Sequence, residues 1–239
     1  MKTAFRDTYS SYIELVLVGG GHAQVQVLKS FGMKPEAGVR LTLITDVLNT
    51  PYSGMLPGHI EGIWSEQDIY INLVKLARFA GARLIHQSVN FINTDSKTIY
   101  LNNNINLRYD VLSVNCGAAP DLKSIPGAEL HAVAVKPISL FLNKLPSTSA
   151  ISGRVCIIGA GAAGAELALA FRQRYGASAD IHLIGRSKRI LPMRSHYASK
   201  LLTRAMKQNN ITLHLGKAVS QITATDIHLF DETTLAYSH

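Results

Sequence analysis

The sequence predicts an α/β fold in two domains, each opening on the same unit: a buried strand, a glycine-rich turn and a helix. Three observations carry this. The apolar run Ile13 to Val18 leads into Gly19-Gly-Gly21 and then a helical segment reaching about Phe31. The strand Arg154 to Ile158, apolar from Val155, leads into Gly159-Ala-Gly161 and a helix to Tyr175. The two turns lie 140 residues apart, in the same order relative to strand and helix.

The elements follow in order. Ile13 to Val18 and Val39 to Thr45 are near-continuous apolar runs, as in strands buried on both faces of a parallel sheet. Asn49 to Gly62 is rich in Gly and Pro and reads as a structured loop. Leu73, Leu76, Ala77 and Ala80 recur at helical spacing, predicting a helix over Ile71 to Ala80. Short strands with turn signals at Asp95-Ser96 and Asn102-Asn103-Asn104 predict a β-meander between Arg83 and Asn115. Leu142 to Gly153, with Pro146, Thr148 and three serines, reads as the domain boundary, giving domains 1–145 and 146–239. Ala179 to Ile184 is the next strand. His196 to Asn209 is a basic helix, and Ile211 to Leu215, Val219 to Thr223 and Ile227 to Phe230 are short strands.

The composition excludes several classes. Apolar residues make up 47% of 239 and mean hydropathy is +0.12, so the chain is neither disordered nor collagen-like. Cys116 and Cys156 stand alone, which argues against a disulfide framework or a metal site and fits a reducing, cytoplasmic setting. No run approaches the 18 to 20 apolar residues of a membrane span. The net charge of +8 raises nucleic acid as a partner, but its location argues otherwise. Between Ile181 and Thr225 there is no acid, and eight cations lie there, equal to the entire excess. Only Tyr197 interleaves with them, so the aromatic platform of a single-strand binder is missing. Lys200, Arg204 and Lys207 share one helix face, which is either solvated or set against an anionic membrane surface.

The turns read as Gly19-x-Gly21-x-x-Gln24 and Gly159-x-Gly161-x-x-Gly164. In the Rossmann dinucleotide fingerprint the first Gly makes the bend, the second lets backbone approach a pyrophosphate, and the third lets helix and strand pack closely. The helix N-terminus then offers N–H groups and a positive dipole end to the phosphates. Gln24 departs from the pattern; its side chain is expected to push the helix off the strand or to turn outward. The ribose-reading position falls at Thr45 in the first copy, with Asp46 next to it, and at Gly185 in the second, followed by Arg186, Ser187, Lys188 and Arg189. A small residue followed by cations suits a 2′-phosphate and favours NADPH over NADH; a solvated loop that leaves the ribose unread is the alternative.

Four stretches narrow the reading: Val16-Leu-Val-Gly-Gly-Gly-His-Ala23; Thr50-Pro-Tyr-Ser-Gly-Met-Leu-Pro-Gly58; Asp110-Val-Leu-Ser-Val-Asn-Cys-Gly-Ala-Ala-Pro120 with Ile125-Pro-Gly127; and Val155-Cys-Ile-Ile-Gly-Ala-Gly-Ala-Ala-Gly-Ala-Glu-Leu-Ala168. Their order resembles the two-dinucleotide-domain flavoproteins of the pyridine nucleotide-disulfide oxidoreductase superfamily. Within it the chain resembles type II NADH dehydrogenase-like proteins, among them the FAD module fused to selenide, water dikinase.

The resemblance implies FAD on the first domain and NADH or NADPH on the second, with hydride transfer to the flavin and electrons passed on to a small acceptor. The Asn49 to Gly62 stretch has no Cys-x4-Cys pair, so a quinone, another small oxidant or oxygen is the implied acceptor. A sulfide- or selenium-linked flavin dehydrogenase and a non-catalytic nucleotide-binding module are the alternatives. The family closes its FAD domain with a C-terminal Gly-Asp; this sequence contains none, and the chain is read as C-terminally truncated. A homodimer and peripheral contact with the inner face of a membrane are left open.

The implied FAD contacts are Gly19, Gly21, His22, Ala23, Asp46, Tyr52, Ser53, Gly54, Met55, Gly117 and Ala118; the implied NAD(P)H contacts are Gly159, Gly161, Ala163, Gly164 and Arg186. Glu166, expected in the first turn of its helix, is the candidate for substrate positioning or proton transfer, or is there for the helix dipole alone. Lys136 is the second catalytic candidate, as a cation beside a reduced flavin, or else a plain surface lysine. His22 is open to either reading too, and Trp64 is read as core.

Overall fold

The computed structural model describes residues 12–102, 105–145 and 152–238. Asn103, Asn104 and the middle of the expected boundary, Pro146 to Ile151, lie outside the described residues. The chain divides into two compact units, and among the described residues the first comprises 12–52 and 70–117, the second 53–69 and 118–238.

In the first unit, β1 (Ile13–Val18) runs parallel to β2 (Val39–Thr45), and the two are joined by α1 (His22–Met33). The sheet order is β5-β2-β1-β9, all parallel, with β5 (Arg83–His86) and β9 (Val111–Val114) at the edges. The apolar runs earn their place here: Val16, Leu17, Leu43 and Ile44 are buried, with Val16 and Ile44 packing on one face and Leu17 and Leu43 on the other. Arg83 to His86 therefore belongs to the parallel sheet rather than to the meander. The meander itself is β6 (Val89–Asn93), β7 (Thr98–Leu101) and β8 (Asn106–Arg108). Part of the expected loop is strand: β3 (Asn49–Pro51) pairs antiparallel with β4 (Tyr70–Asn72). β4 takes Ile71 and Asn72 from the expected helix, which starts later as α3 (Leu73–Phe79), because the Asn72 side chain accepts from Lys75 N–H at 2.8 Å and caps it.

In the second unit, α2 (Leu56–Ile60), α4 (Ala128–His131) and α5 (Ile138–Lys144) precede the second strand–turn–helix. α5 occupies the first residues of the expected boundary. Parallel strands β10 (Gly153–Ile158), β11 (Ala179–Gly185) and β12 (Thr212–Leu215) form the sheet. α6 (Ala162–Tyr175) joins β10 to β11, and α7 (His196–Gln208) joins β11 to β12. Alanines at 165, 168 and 170 are fully buried, and they let α6 lie close to β11 and α2. A second meander, β13 (Val219–Ile222), β14 (Asp226–Leu229) and β15 (Thr234–Ala236), packs its apolar residues with Ile184 and Cys156. Trp64 is 44% exposed and is not core; its ring lies over Gly58, where a Cβ would meet it at 2.7 Å. Among the described residues no helix is long and apolar enough to cross a membrane.

Candidate functional site

Both glycine turns sit at the C-terminal ends of parallel strands, β1 inside its sheet and β10 at the edge of its own, and open α/β sheets bind ligands at that end. Their local chemistry differs.

In the first turn Gly19 has φ +90°, a conformation a side chain rarely adopts. A Cβ at Gly19 would lie 2.4 Å from the Asn115 carbonyl oxygen, and one at Gly21 would lie 1.8 Å from Asn115 Oδ1. Asn115, just beyond β9, thus fills the space beside these glycines. Its Oδ1 accepts from Ala23 N–H at 3.3 Å, taking up one of the free donors at the head of α1, and its carbonyl accepts from Gly21 N–H at 3.1 Å. Asn115 lies within the 110–120 stretch but is not among the implied contacts.

Gln24 corrects the expectation made of it. It is fully buried, and its Nε2 donates to the Ser113 carbonyl at 3.0 Å and to Ser113 Oγ at 3.1 Å. The long side chain neither turns outward nor breaks the packing; it ties α1 to β9. At the ribose position Thr45 is buried, with Oγ1 donating to the Val47 carbonyl at 3.0 Å. The next residue, Asp46, is exposed, and its carbonyl is bonded by His86 Nε2 at 3.0 Å. His22 is exposed and stacks on Tyr52, with ring centroids 4.8 Å apart. Cys116 follows Asn115, and burial together with the Asp46 carboxylate pushes its thiol pKa up. Gly117, with φ +82°, is exposed.

In the second unit, Ser53 to Met55 form a single 3-10 turn that runs into α2, and Ala118 is exposed. The second glycine turn is open. Gly159 has φ +119°, and neither it nor Gly161 has any atom within 4 Å of an added Cβ. Gly164 is the reverse: a Cβ there would lie 1.9 Å from the Gly159 carbonyl oxygen, so the third glycine is demanded by helix–strand packing. Ala163 is exposed in the first turn of α6, and Gly161, the N-cap residue before it, offers no side-chain cap. Gly159 and Gly161, but neither Ala163 nor Gly164, line a cleft of about 380 Å³ with Arg186, Ser187, Ser124, Ile125, Pro192 and Lys217.

Gly185 closes the end of β11, where a Cβ would meet that of Ala160 at 2.5 Å. No side chain fits there, which accounts for the missing ribose acid. The loop beyond is strapped down by Gly216 N–H to the Ser187 carbonyl at 2.9 Å and Lys217 N–H to the Gly185 carbonyl at 3.0 Å. Lys217 is neutralised by Asp231 at 2.8 Å, and hydrogen bonds from Lys217 and Thr233 hold that carboxyl at a pKa of about 2. Arg186 is exposed and, among the described residues, carries no ion pair. The segment 124–125 and residues 217–219 were missed from sequence, because only tertiary packing brings them to the glycines.

The open turn fits a pyrophosphate, having bare glycine backbone, a helix N-terminus and an unpaired cation around one cleft. The first turn has the right strand–turn–helix geometry, although Asn115 already takes one helix N-terminal donor.

Glu166 is the fifth residue of α6, not in its first turn, so the dipole explanation loses force; the side chain is exposed. Lys136 is exposed in the loop before α5. Cys156 lies on β10 and is half-buried, and burial raises its thiol pKa to about 11, so it is an inert core thiol.

Two units, each built on a parallel sheet that ends in a glycine turn and a helix, define a two-fold dinucleotide-binding α/β protein. The chain belongs to the pyridine nucleotide-disulphide oxidoreductase family, whose model matches residues 13–238. It is 26% identical over 166 residues to demethylphylloquinone reductase NdbB of Synechocystis, covering 65% of this chain and 41% of that one. Its fold matches NDH2 of Plasmodium falciparum in complex with NADH, with TM-score 0.75, 18% identity, and 94% of this chain against 53% of that one. It also matches an engineered, NADPH-bound form of the Lactobacillus brevis water-forming NADH oxidase, with TM-score 0.73, 21% identity, and 94% against 52%. The chain therefore spans about half the length of these relatives or less.

Proposed function

We propose that this chain acts as an FAD-dependent NAD(P)H:acceptor oxidoreductase, with FAD on residues 1–145 and NAD(P)H on residues 146–239. The observation that carries the reading is the open cleft at the head of β10 and β11, where Gly159, Gly161 and the α6 N-terminus converge with Arg186. Bound flavin would accept a hydride from the nicotinamide and deliver electrons to the acceptor.

The residues of this chain divide the remaining work. Gly159 and Gly161 leave backbone bare for the pyrophosphate, and α6 directs its N-terminal N–H groups toward it. Arg186 and Ser187 supply a cation and a hydroxyl where a 2′-phosphate would sit, while Gly185 excludes the acid that would repel it. The engineered oxidase that binds NADPH was changed at three consecutive positions to Ala, Arg and Ser. The Gly185-Arg186-Ser187 run is similar in character, which supports NADPH. In the first unit Gly19 and Gly21 allow close backbone approach, Asp46 is exposed beside the buried Thr45, and the His22–Tyr52 stack offers a flat apolar contact. Gly117 is a further flavin contact of the first unit, whereas Ser53, Gly54, Met55 and Ala118 belong to the second unit. Glu166 is assigned to positioning or proton transfer, and Lys136 to stabilising negative charge on the reduced ring system.

With no cysteine in residues 49–62 and two high-pKa thiols elsewhere, no dithiol relay is available on this chain. The similarity to a demethylphylloquinone reductase supports a quinone acceptor. The test is the visible spectrum of the purified chain with added FAD. A bound flavin band that bleaches anaerobically with NADPH and returns with a soluble quinone is expected. A colourless protein that cannot be reconstituted with FAD would overturn the reading.

A further inference from the structure

A second cavity lies in the same unit as the NAD(P)H cleft and shares no lining residue with it. It has a volume of about 710 Å³, in the size range of small-molecule sites. Its basic residues come from two elements. Lys188 and Arg189 stand on the loop after β11, and His196, Lys200, Arg204 and Lys207 on one face of α7. No acid lines it, and none occurs anywhere from residue 181 to 225. Among the described residues none of the five Lys and Arg side chains is ion-paired. Each of the four ion pairs of the described residues lies elsewhere.

Five like charges converging on one concave space repel one another, and an ordinary solvated helix face would interleave acids at i, i+4. Arg189 sharpens the point. Its Nη2 donates to the Pro192 carbonyl at 2.6 Å, while Nη1 is buried with no acceptor. A guanidinium anchored in this way keeps its charge at the groove wall. The Thr203 hydroxyl, also in the wall, is committed to the Ser199 carbonyl at 2.7 Å.

We propose that this groove is a second anion site, taking a small soluble ligand with several linked phosphate groups. Concavity favours such a ligand over a bilayer. A flat headgroup layer would be met by a protruding surface, whereas these charges border a concave space from two elements. A chain of phosphates can reach cations on both walls at once, and each contact is a charge-assisted hydrogen bond.

The experiment is calorimetric titration of the full chain with inorganic tripolyphosphate at about 0.15 M salt, where weak long-range attraction is screened. Saturable binding is expected that persists when NADPH fills the other cleft, with orthophosphate weaker by about tenfold or more. With NADPH present, the double variant Lys200→Gln/Arg204→Gln, at exposed helix positions where Gln is well tolerated, should bind tripolyphosphate about tenfold more weakly, while Arg186→Ala keeps this NADPH-resistant binding. Circular dichroism establishes that both variants are folded. Three results would each overturn the proposal. One is loss of binding in Arg186→Ala but not in the double variant, or displacement by NADPH, which places the anion in the other cleft. A second is no saturable tripolyphosphate binding alongside binding to phosphatidylglycerol vesicles. The third is equal binding of tripolyphosphate to parent and double variant.

Discussion

His182 Nδ1 lies 2.9 Å from His214 Nε2, and the two rings stack with centroids 5.0 Å apart. Asp180 Oδ2 accepts from His182 Nε2–H at 2.9 Å and from Arg154 Nε at 3.1 Å. With Nε2 of His182 donating, its Nδ1 is left to accept from His214, a pairing that suits two neutral rings. Burial drives the His182 pKa below its usual value of 6.5 against the opposing pull of Asp180, and burial, His182 and Lys217 drive His214 down.

A pH dependence follows. Both folded values are depressed, so the unfolded chain takes up protons first. The stability from this pair is fully present above about pH 6.5 and is lost as pH falls below it toward the folded values. The slope is up to about 1.4 kcal/mol per pH unit for each histidine. Asp180 is held below 3.8 by Arg154 and His182 despite its own desolvation, so it contributes only in more acid solution. Thermal melts from pH 8 to 5 should show the fall, and His214→Gln should flatten it. A parent curve that is level from pH 7 to 5 would count against the pairing.

Restoring the missing glycine of the first turn should harm the protein. Gln24→Gly removes a fully buried side chain and leaves Ser113 without its partner. A loss of about 2 kcal/mol or more is expected in urea unfolding. Unchanged stability would mean that the Gln24–Ser113 bonds carry no weight.

The two inner glycines of the second turn should respond in opposite ways. Gly164→Ala drives a methyl into the Gly159 carbonyl and should cost about 1–3 kcal/mol. Gly161→Ala meets no atom within 4 Å and should leave stability within about 1 kcal/mol while weakening dinucleotide binding. Paired melting and NADPH titrations separate the two effects. Tight NADPH binding by Gly161→Ala would remove Gly161 from the site.

Nucleotide preference should rest on Arg186. Arg186→Ala is expected to weaken NADPH about tenfold or more and NADH little, as for the loss of one charge-assisted phosphate contact. Gly185→Asp does not give a clean NADH protein, because its Cβ collides with Ala160; lowered melting temperature is the expected signature. Equal losses for NADPH and NADH in Arg186→Ala would refute a 2′-phosphate role.

Much of this was legible in one dimension, because strand, turn and helix are written in consecutive residues. Apolar runs at 13–18 and 154–158, glycines at 19, 21, 159, 161 and 164, and helical spacing thereafter determine two parallel strand–turn–helix units. The absence of a cysteine pair in 49–62 and the bunching of charge in 181–225 are likewise facts of sequence alone. Tertiary structure decided what depends on residues far apart in the chain. Whether Gln24 points inward is set by Ser113, 89 positions away. That Asn115 fills the first turn while the second stays open is set by what stands beyond the neighbouring strand. The closing of β11 by Ala160 against Gly185, and the division of four consecutive residues between cleft and groove, also escape any periodicity. Backbone propensity is local and can be read locally, but the space around a side chain is made by whatever the fold brings to it.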